Sequence, residues 1–414
     1  MRFLSFDTAA LARAFAVRNF ALYTAGSSIS QIGMWVQRLA IGWLVWDLTK
    51  SGVWLGAVAI AEFLPTIVIT PFGGVLSDRL DRRWVSLVTQ SIAATLAAFL
   101  WLLTVAGHVE AWHVIAMVFL WGVLNAINQS SRIALVPSLV PREVVGQAIA
   151  ISAVTFNLAR FLGPVIAGAL IVTVGIGWTF FVNAVSYVPL LIVLLRLELP
   201  KPVRRPTAGF MTEMIDGMKY TVGHDAIATL MTLMALAAVF TRATIELLPA
   251  FADAVFAQGS SGLAAFTSAG GLGAIVAGLW LAQRGTQAGL TSWVLFTLLV
   301  NAGAIIVFAL SGNFYVAVAM MAVSGFCNVA SGTSSQTLIQ VSVEDAMRGR
   351  VMSLWLIINR GGPAFGAMVF GALSERMGWG WPTALGSTVT ILVAAWAIRR
   401  RGALAAQMES HVAV

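Results

Sequence analysis

The sequence predicts an all-α membrane protein of twelve transmembrane helices, arranged as two six-helix, pseudo-symmetric halves. Three observations carry that prediction. Of 414 residues, 59% are hydrophobic and only 10% charged, and the mean hydropathy is +0.88, far from the composition of a soluble globular chain. Apolar runs long enough to cross a bilayer, about 20 residues each, recur along the whole length. Outside those runs the basic residues fall almost entirely in alternate loops or at the two ends of the chain, as the positive-inside rule requires.

Taken in order, the runs lie near residues 20–46, 54–76, 84–106, 113–136, 147–172 and 177–197, then near 224–250, 262–283, 290–311, 314–338, 351–373 and 381–398. The segment before the first run carries Arg2, Arg13 and Arg18 without a long apolar core or a small-residue cleavage site. It reads as a short amphipathic stretch on the membrane surface and not as a cleaved signal. Loops after the even-numbered spans hold the arginines, among them Arg79, Arg82, Arg83, Arg142, Arg284 and Arg348, whereas the opposite side holds only Lys50 and Arg376. Both termini are therefore expected in the cytoplasm, and an odd number of spans would scramble the asymmetry. Trp43, Trp46, Trp54, Trp101, Trp112, Trp178, Trp379 and Trp381 fall near the expected outer ends, where interfacial aromatics belong. A Pro- and Arg-rich stretch with Pro200, Pro202, Arg204, Arg205 and Pro206 divides the chain into residues 1–198, a cytoplasmic linker at 199–222, and residues 223–414.

The halves also resemble each other. Gly168-Ala169-Leu170, followed by Gly175, Gly177 and Trp178, recurs as Gly371-Ala372-Leu373, followed by Gly378, Gly380 and Trp381. In the same register Gly122 and Asn125 recur as Gly325 and Asn328, and Gly146 as Gly349. Such a repeat implies two half-bundles of like orientation, the parallel arrangement of transporters whose substrate site lies near the midplane where the repeats meet. The run Ser268–Gly278 (SAGGLGAIVAG) has the small-xxx-small spacing of close helix packing. Without a preceding strand it is no dinucleotide fingerprint.

Several functions are excluded. The net charge of +8 is scattered and forms no basic face with interleaved aromatics, so nucleic acid is not an expected partner. Cys327 is the sole cysteine, which precludes an intrachain disulfide and a multi-cysteine metal site. His108, His113, His224 and His411 sit at loops, ends or the tail, and a solvated outer loop accounts for the grouping of His108, Glu110 and His113. Neither HExxH, a P-loop nor a nucleophile elbow is present. No enzyme activity, cofactor or metal is expected.

Six ionisable residues fall well inside the expected spans: Arg38, Glu62, Arg160, Arg242, Glu246 and Arg360. A charge at bilayer depth costs from about 2.5 to above 10 kcal/mol unless it is paired or faces water, so these residues imply a polar interior. Arg242 and Glu246, at i, i+4, are expected to share a helix face, either as an internal ion pair or as a protonatable glutamate gated by its arginine. Glu62 has no partner nearby in sequence and needs an arginine from another span, Arg38 being available, or a proton. Arg160 follows Asn157 at i, i+3, and Arg360 adjoins Asn359. Four arginines against two glutamates favour anionic or catechol-like, oxygen-rich ligands; bracing of neighbouring helix ends is the structural alternative for these arginines.

The stretch Gly74-Val75-Leu76-Ser77-Asp78-Arg79-Leu80-Asp81-Arg82-Arg83 resembles the signature loop between spans two and three of the major facilitator superfamily, with Asp81 in place of the second glycine. Gly278 to Arg284 is similar to a decayed second copy. Gly163-Pro164 with Gly168 resembles the antiporter motif of exporters in that superfamily, although Ala159 and Ala167 stand where further glycines are common. Arg79–Arg83, Leu247–Asp253 and Arg348–Val351 are most similar to the enterobactin-exporter group of drug:proton antiporters. The resemblance covers essentially the whole chain. It implies a monomeric transporter of the bacterial inner membrane exporting a small molecule, with protons as coupling ion. The early arginine of span four linked to proton coupling in many family exporters is absent from residues 114–125, so coupling through that residue does not carry over. Import, lipid flipping, or a non-transporting scaffold or sensor role are the alternatives. Physically, Arg79, Arg82 and Arg83 enforce topology, whereas acidic residues contribute little to orientation. Asp78 is therefore expected to act in a cytoplasmic gating latch, toward Arg79, Arg82 or the start of span eleven near Val351, whose dipole favours an anion.

Overall fold

The structure, a computed structural model, describes residues 13–79, 81–197, 210–284 and 289–409. Among them every regular element is helical. The first six helices are α1 (Arg18–Thr49), α2 (Gly52–Arg79), α3 (Arg82–Val105), α4 (Ala111–Ser138), α5 (Val145–Thr173) and α6 (Gly177–Arg196). There follow α7 (Phe210–Val222), α8 (Asp225–Phe240), α9 (Gly259–Arg284), α10 (Leu290–Leu310), α11 (Phe314–Ser342), α12 (Asp345–Met377), α13 (Gly380–Arg399) and α14 (Arg401–Met408). Thus α4 and α6 recur as α11 and α13 at the register of the sequence repeat.

Among the described residues eleven helical segments are long and apolar enough to cross a membrane. Of the expected spans, the one outside that set is the first, α1; it has 32 residues but carries Ser27, Ser28, Ser30, Gln31, Gln37 and Arg38. Polarity is distributed inside out. Asn183, Asn301, Ser335 and Ser387 are at most 1% exposed, while Leu102, Phe296 and Leu392 are more than half exposed. In water each such exposed side chain would forgo about 1.5–3 kcal/mol of burial; in hydrocarbon it forgoes nothing, and the polar groups must find partners within the protein. Lipid is the solvent that fits this surface. Among the expected interfacial tryptophans, Trp112 and Trp381 are exposed, but Trp46 is buried inside the protein.

Helix ends follow from local chemistry. Asp81 starts α3 by accepting the Arg83 backbone N–H at 2.9 Å, through a side-chain acceptor that a glycine lacks. Arg83 donates to the Leu195 carbonyl at 2.5 Å, satisfying one of the orphan acceptors at the end of α6. Asn313 caps α11 by accepting from the backbone N–H groups of Tyr315 and Val316. Glu110 and His113 form a capping box that opens α4, His113 Nδ1 accepting from the Glu110 N–H at 3.1 Å.

The chain divides into two compact units, one of Met1–Leu48 and Ala61–Thr207, the other of Thr49–Ile60 and Ala208–Val414. The first has an apolar cluster built on Phe20, Leu87, Ile151, Leu190 and Leu194. Within it, Gly122 lets α4 approach α2 closely: a methyl group there would sit 2.8 Å from the Glu62 carbonyl oxygen. Its repeat-mate Gly325 does the same in the second unit, bringing α11 onto the Gly270 backbone of α9. The pair Gly163 and Gly366 shows the same logic, the first against Trp35 of α1 and the second against the Val239 carbonyl of α8. The repeated glycines thus mark helix crossings that any side chain would force apart.

The second unit centres on Leu230, Met234, Leu295, Leu298, Ile339 and Val351. The last thirteen residues of the segment read as a linker belong here, as helix α7, held to α12 by Arg350 Nη1 to Asp216 Oδ2 at 3.0 Å. The first turns of α2 also group with this unit. Gly52 lies against the Gly371 backbone, Lys50 pairs with Asp253 at 3.1 Å, and the Glu375 carboxylate accepts from the Ser51 hydroxyl at 2.6 Å and the Val53 N–H at 3.3 Å. An anion there is favoured by the N-terminal end of the helix dipole.

Candidate functional site

In the first unit the charged interior forms one cluster. Trp35 and Arg38 lie three residues apart on α1 and therefore face the same way. Arg38 Nη1 reaches Glu62 Oε1 of α2 at 2.7 Å, the length of a charge-assisted hydrogen bond. The arginine side chain is 36% exposed and the glutamate 21%, so the pair is neither sealed nor fully solvated. The partner that Glu62 lacked in the sequence is Arg38.

Trp35 is the platform of this cluster. The Arg38 guanidinium lies 5.5 Å from its ring centre and that of Arg160, on α5, 5.7 Å from it, both within cation–π range. Phe156, one turn before Arg160, meets the same indole edge-on at 5.9 Å. Gly163 makes this possible, because its missing side chain leaves room for the Trp35 backbone and Cβ. Pro164 and Gly168, the rest of the antiporter-like motif, are buried along the same helix. Sequence reasoning missed Trp35 and Phe156, although the spacings Trp35/Arg38 and Phe156/Arg160 place each aromatic on the face of an intramembrane arginine. Asn157 is not drawn into the cluster; its amide donates back along α5 to the Ala153 carbonyl at 2.9 Å.

The second unit holds a different arrangement from the one expected. Arg242 and Glu246 do not share an α-helical face, because α8 stops at Phe240 and Arg242–Ile245 form a 3₁₀ turn with Glu246 as its C-cap. Pro249, which lacks an N–H and whose ring conflicts with the carbonyl four residues earlier, at Ile245, lies farther along the same broken stretch, in the first turn of the next short helix. A short turn, Leu248–Ala250, and a π-helical turn, Phe251–Val255, complete the broken span. Arg242 Nη1 instead donates to Asn359 Oδ1 of α12 at 2.6 Å, and Asn359 donates in turn to the Trp355 carbonyl at 3.0 Å. The following residue, Arg360, is exposed. Among the loop residues, Arg82 and Arg83 are half-buried, while Gly74, Asp78 and Arg79 lie outside the residues whose side chains are described. Among the described residues no group of three His, Cys, Asp or Glu is placed to hold a metal ion.

Membrane-length helices, glycine-mediated crossings and arginine–carboxamide and arginine–carboxylate contacts inside the spans define a multi-pass helical membrane protein with a polar interior. The fold is shared with solved transporters. Chain similarity extends to a bacterial homologue of the human lysosomal transporter Spinster, with a TM-score of 0.71 at 14% identity over 96% of this chain and 98% of that one. A point mutant of the nucleoside transporter NupG gives a TM-score of 0.74 at 13% identity over 93% of this chain and 100% of that one. At the level of family, residues 9–413 match the transmembrane secretion effector family, and the chain belongs to it. Its members are transporters and not enzymes. The enterobactin exporter EntS of Shigella flexneri is 28% identical over 308 residues, 74% of this chain and 72% of the relative. EntS of Escherichia coli O139:H28 is 27% identical over 307 residues, 74% and 73% of the two chains.

Proposed function

We propose that this transporter exports a small anionic or amphiphilic molecule, of the siderophore or drug class, in exchange for protons, working as a monomer by alternating access in the bacterial inner membrane. In this reading α1 completes the set of twelve spans and both termini are cytoplasmic. The observation that carries the proposal is the Arg38–Glu62 contact at 2.7 Å beside the Trp35 face that Arg38 and Arg160 share. With Glu62 ionised, its carboxylate holds Arg38 beside the indole, so that an anionic, aromatic substrate meets both guanidinium groups and the Trp35 face together. When Glu62 takes up a proton, Arg38 loses the partner that places it and the substrate is released. Loss of the proton restores the pair and with it the site. Substrate occupies the ionised pair and leaves the protonated one, so the two alternate, as exchange requires. Similarity to the enterobactin exporters supports the outward direction and the anionic, catechol-rich cargo. The loop of Gly74, Asp78, Arg79, Arg82 and Arg83 serves in this scheme as the cytoplasmic latch.

Everted vesicles provide the test. Accumulation of enterobactin, with ethidium as a cationic contrast, is measured with an imposed proton gradient and again with a protonophore. The expected result is gradient-dependent accumulation of enterobactin that Glu62→Gln abolishes while the protein remains folded. Accumulation indifferent to the protonophore would remove the proton from the mechanism, and an ethidium-only signal would remove the anionic cargo.

A further inference from the structure

A second polar space lies inside the first unit, between α1, α3, α4 and α6, and is distinct from the Trp35 cluster. It encloses about 40 Å³. Since an ordered water needs roughly 10–15 Å³ by the same measure, the space fits about three waters, or one small ion with a water, and no siderophore or drug. Among the described residues its lining contains a single formal charge, that of Arg132, and no carboxylate. Among the described residues, Arg132 hydrogen-bonds to Gln129 Oε1 alone, at 3.4 Å, the weak end of the range. The Asn128 side chain, 6% exposed, accepts the Ser86 hydroxyl at 2.8 Å through its carbonyl oxygen. That leaves its two N–H donors without an acceptor among the described residues. Asn125 and Gln90 add further amides to the same lining. A buried donor without an acceptor costs about 1–3 kcal/mol, and an arginine at the edge of hydrocarbon without an anion costs more. A weakly bonded cation and an amide NH₂ group left over, with no carboxylate among the described lining residues, are the chemistry of an anion site.

We propose that this cavity binds one small monovalent anion of chloride size, held by Arg132 and the amide of Asn128. Such an ion braces α4 against α3 at the point where Ser86 meets Asn128, and its loss loosens the first unit. The site accounts for an arginine that the transport pair does not use.

The test uses the full-length protein in detergent, unfolded thermally while sodium gluconate is replaced by sodium chloride or bromide at constant ionic strength. A saturable rise in Tm of about 2–4 °C is expected with chloride and bromide and not with sulfate. In Arg132→Gln the apparent affinity should fall at least tenfold. Asn128→Asp guards against a folding defect, since a carboxylate four residues before Arg132 can pair with it and still accept from Ser86. That variant should match the chloride-stabilised Tm already in gluconate and show no further response to chloride. Chloride-dependent broadening of the ³⁵Cl resonance should appear with the native protein and vanish with both variants. The proposal is overturned if the native protein shows no halide-specific shift, if sulfate acts equally well, or if either variant keeps the native response.

Discussion

Neutralising the Arg38–Glu62 pair one side at a time separates its structural from its functional contribution. At about 4 Å between charge centres, two unit charges attract by about 4 kcal/mol at an effective dielectric near 20. Side-chain exposures of 36% and 21% let water take back much of that attraction, so a coupling of about 1–2 kcal/mol remains. The experiment is a double-mutant cycle of Arg38→Gln, Glu62→Gln and the double variant, read by denaturant unfolding in detergent and by gradient-driven uptake into everted vesicles. Each single variant leaves one charge at membrane depth without its opposite, and each should lose about 1–3 kcal/mol. The double variant should recover about 1–2 kcal/mol relative to the sum of the singles. Transport should not recover with it, because a glutamine pair carries no proton and offers no guanidinium to an anion. Strictly additive stabilities would refute the contact as an energetic pair. Restored proton-driven export in the double variant would refute the exchange mechanism.

Two further outcomes follow from the packing. Gly163→Ala should destabilise the first unit by about 1–3 kcal/mol, since a methyl there collides with Trp35, and Gly366→Ala should act likewise in the second unit; unchanged thermal unfolding of both would contradict the close crossings. Asn359→Leu deprives Arg242 of its 2.6 Å acceptor and should cost about 1–3 kcal/mol, whereas Asn359→Asp, which retains the acceptor, should unfold at or above the native temperature. Equal loss in both variants would mean that shape, and not the hydrogen bond, matters at that position.

How much is legible in advance differs from residue to residue. Asp81, a departure from the superfamily loop, is visible as an oddity, but its capping of α3 depends on the backbone geometry at Arg83. Glu62 is visible as a charge in need of compensation; which arginine supplies it depends on how α2 lies against α1, which no local pattern encodes. Arg242 and Glu246 are misread as one helical face when a 3.6-residue period is carried past Phe240, where the α-helix ends and a 3₁₀ turn begins. Trp35 is signalled only by its spacing to Arg38; that it serves two arginines emerges when α5 brings Arg160 to the same indole.

The sequence by itself determined the solvent, the helical class, the repeat and the superfamily. Each of these rests on composition or on spacing along one chain: a bilayer admits only helices or closed barrels, runs of about 20 apolar residues set helix length, and repeated glycines betray duplicated crossings. Only the tertiary structure decided which buried charges are joined, Arg38 to Glu62 within one unit and Arg242 to Asn359 within the other, and which arginine, Arg132, faces a small polar cavity. The physical reason is range. Apolar patterning is a property of neighbours in sequence, whereas compensation of a charge in hydrocarbon is settled over a few ångströms between helices that the chain brings together only on folding.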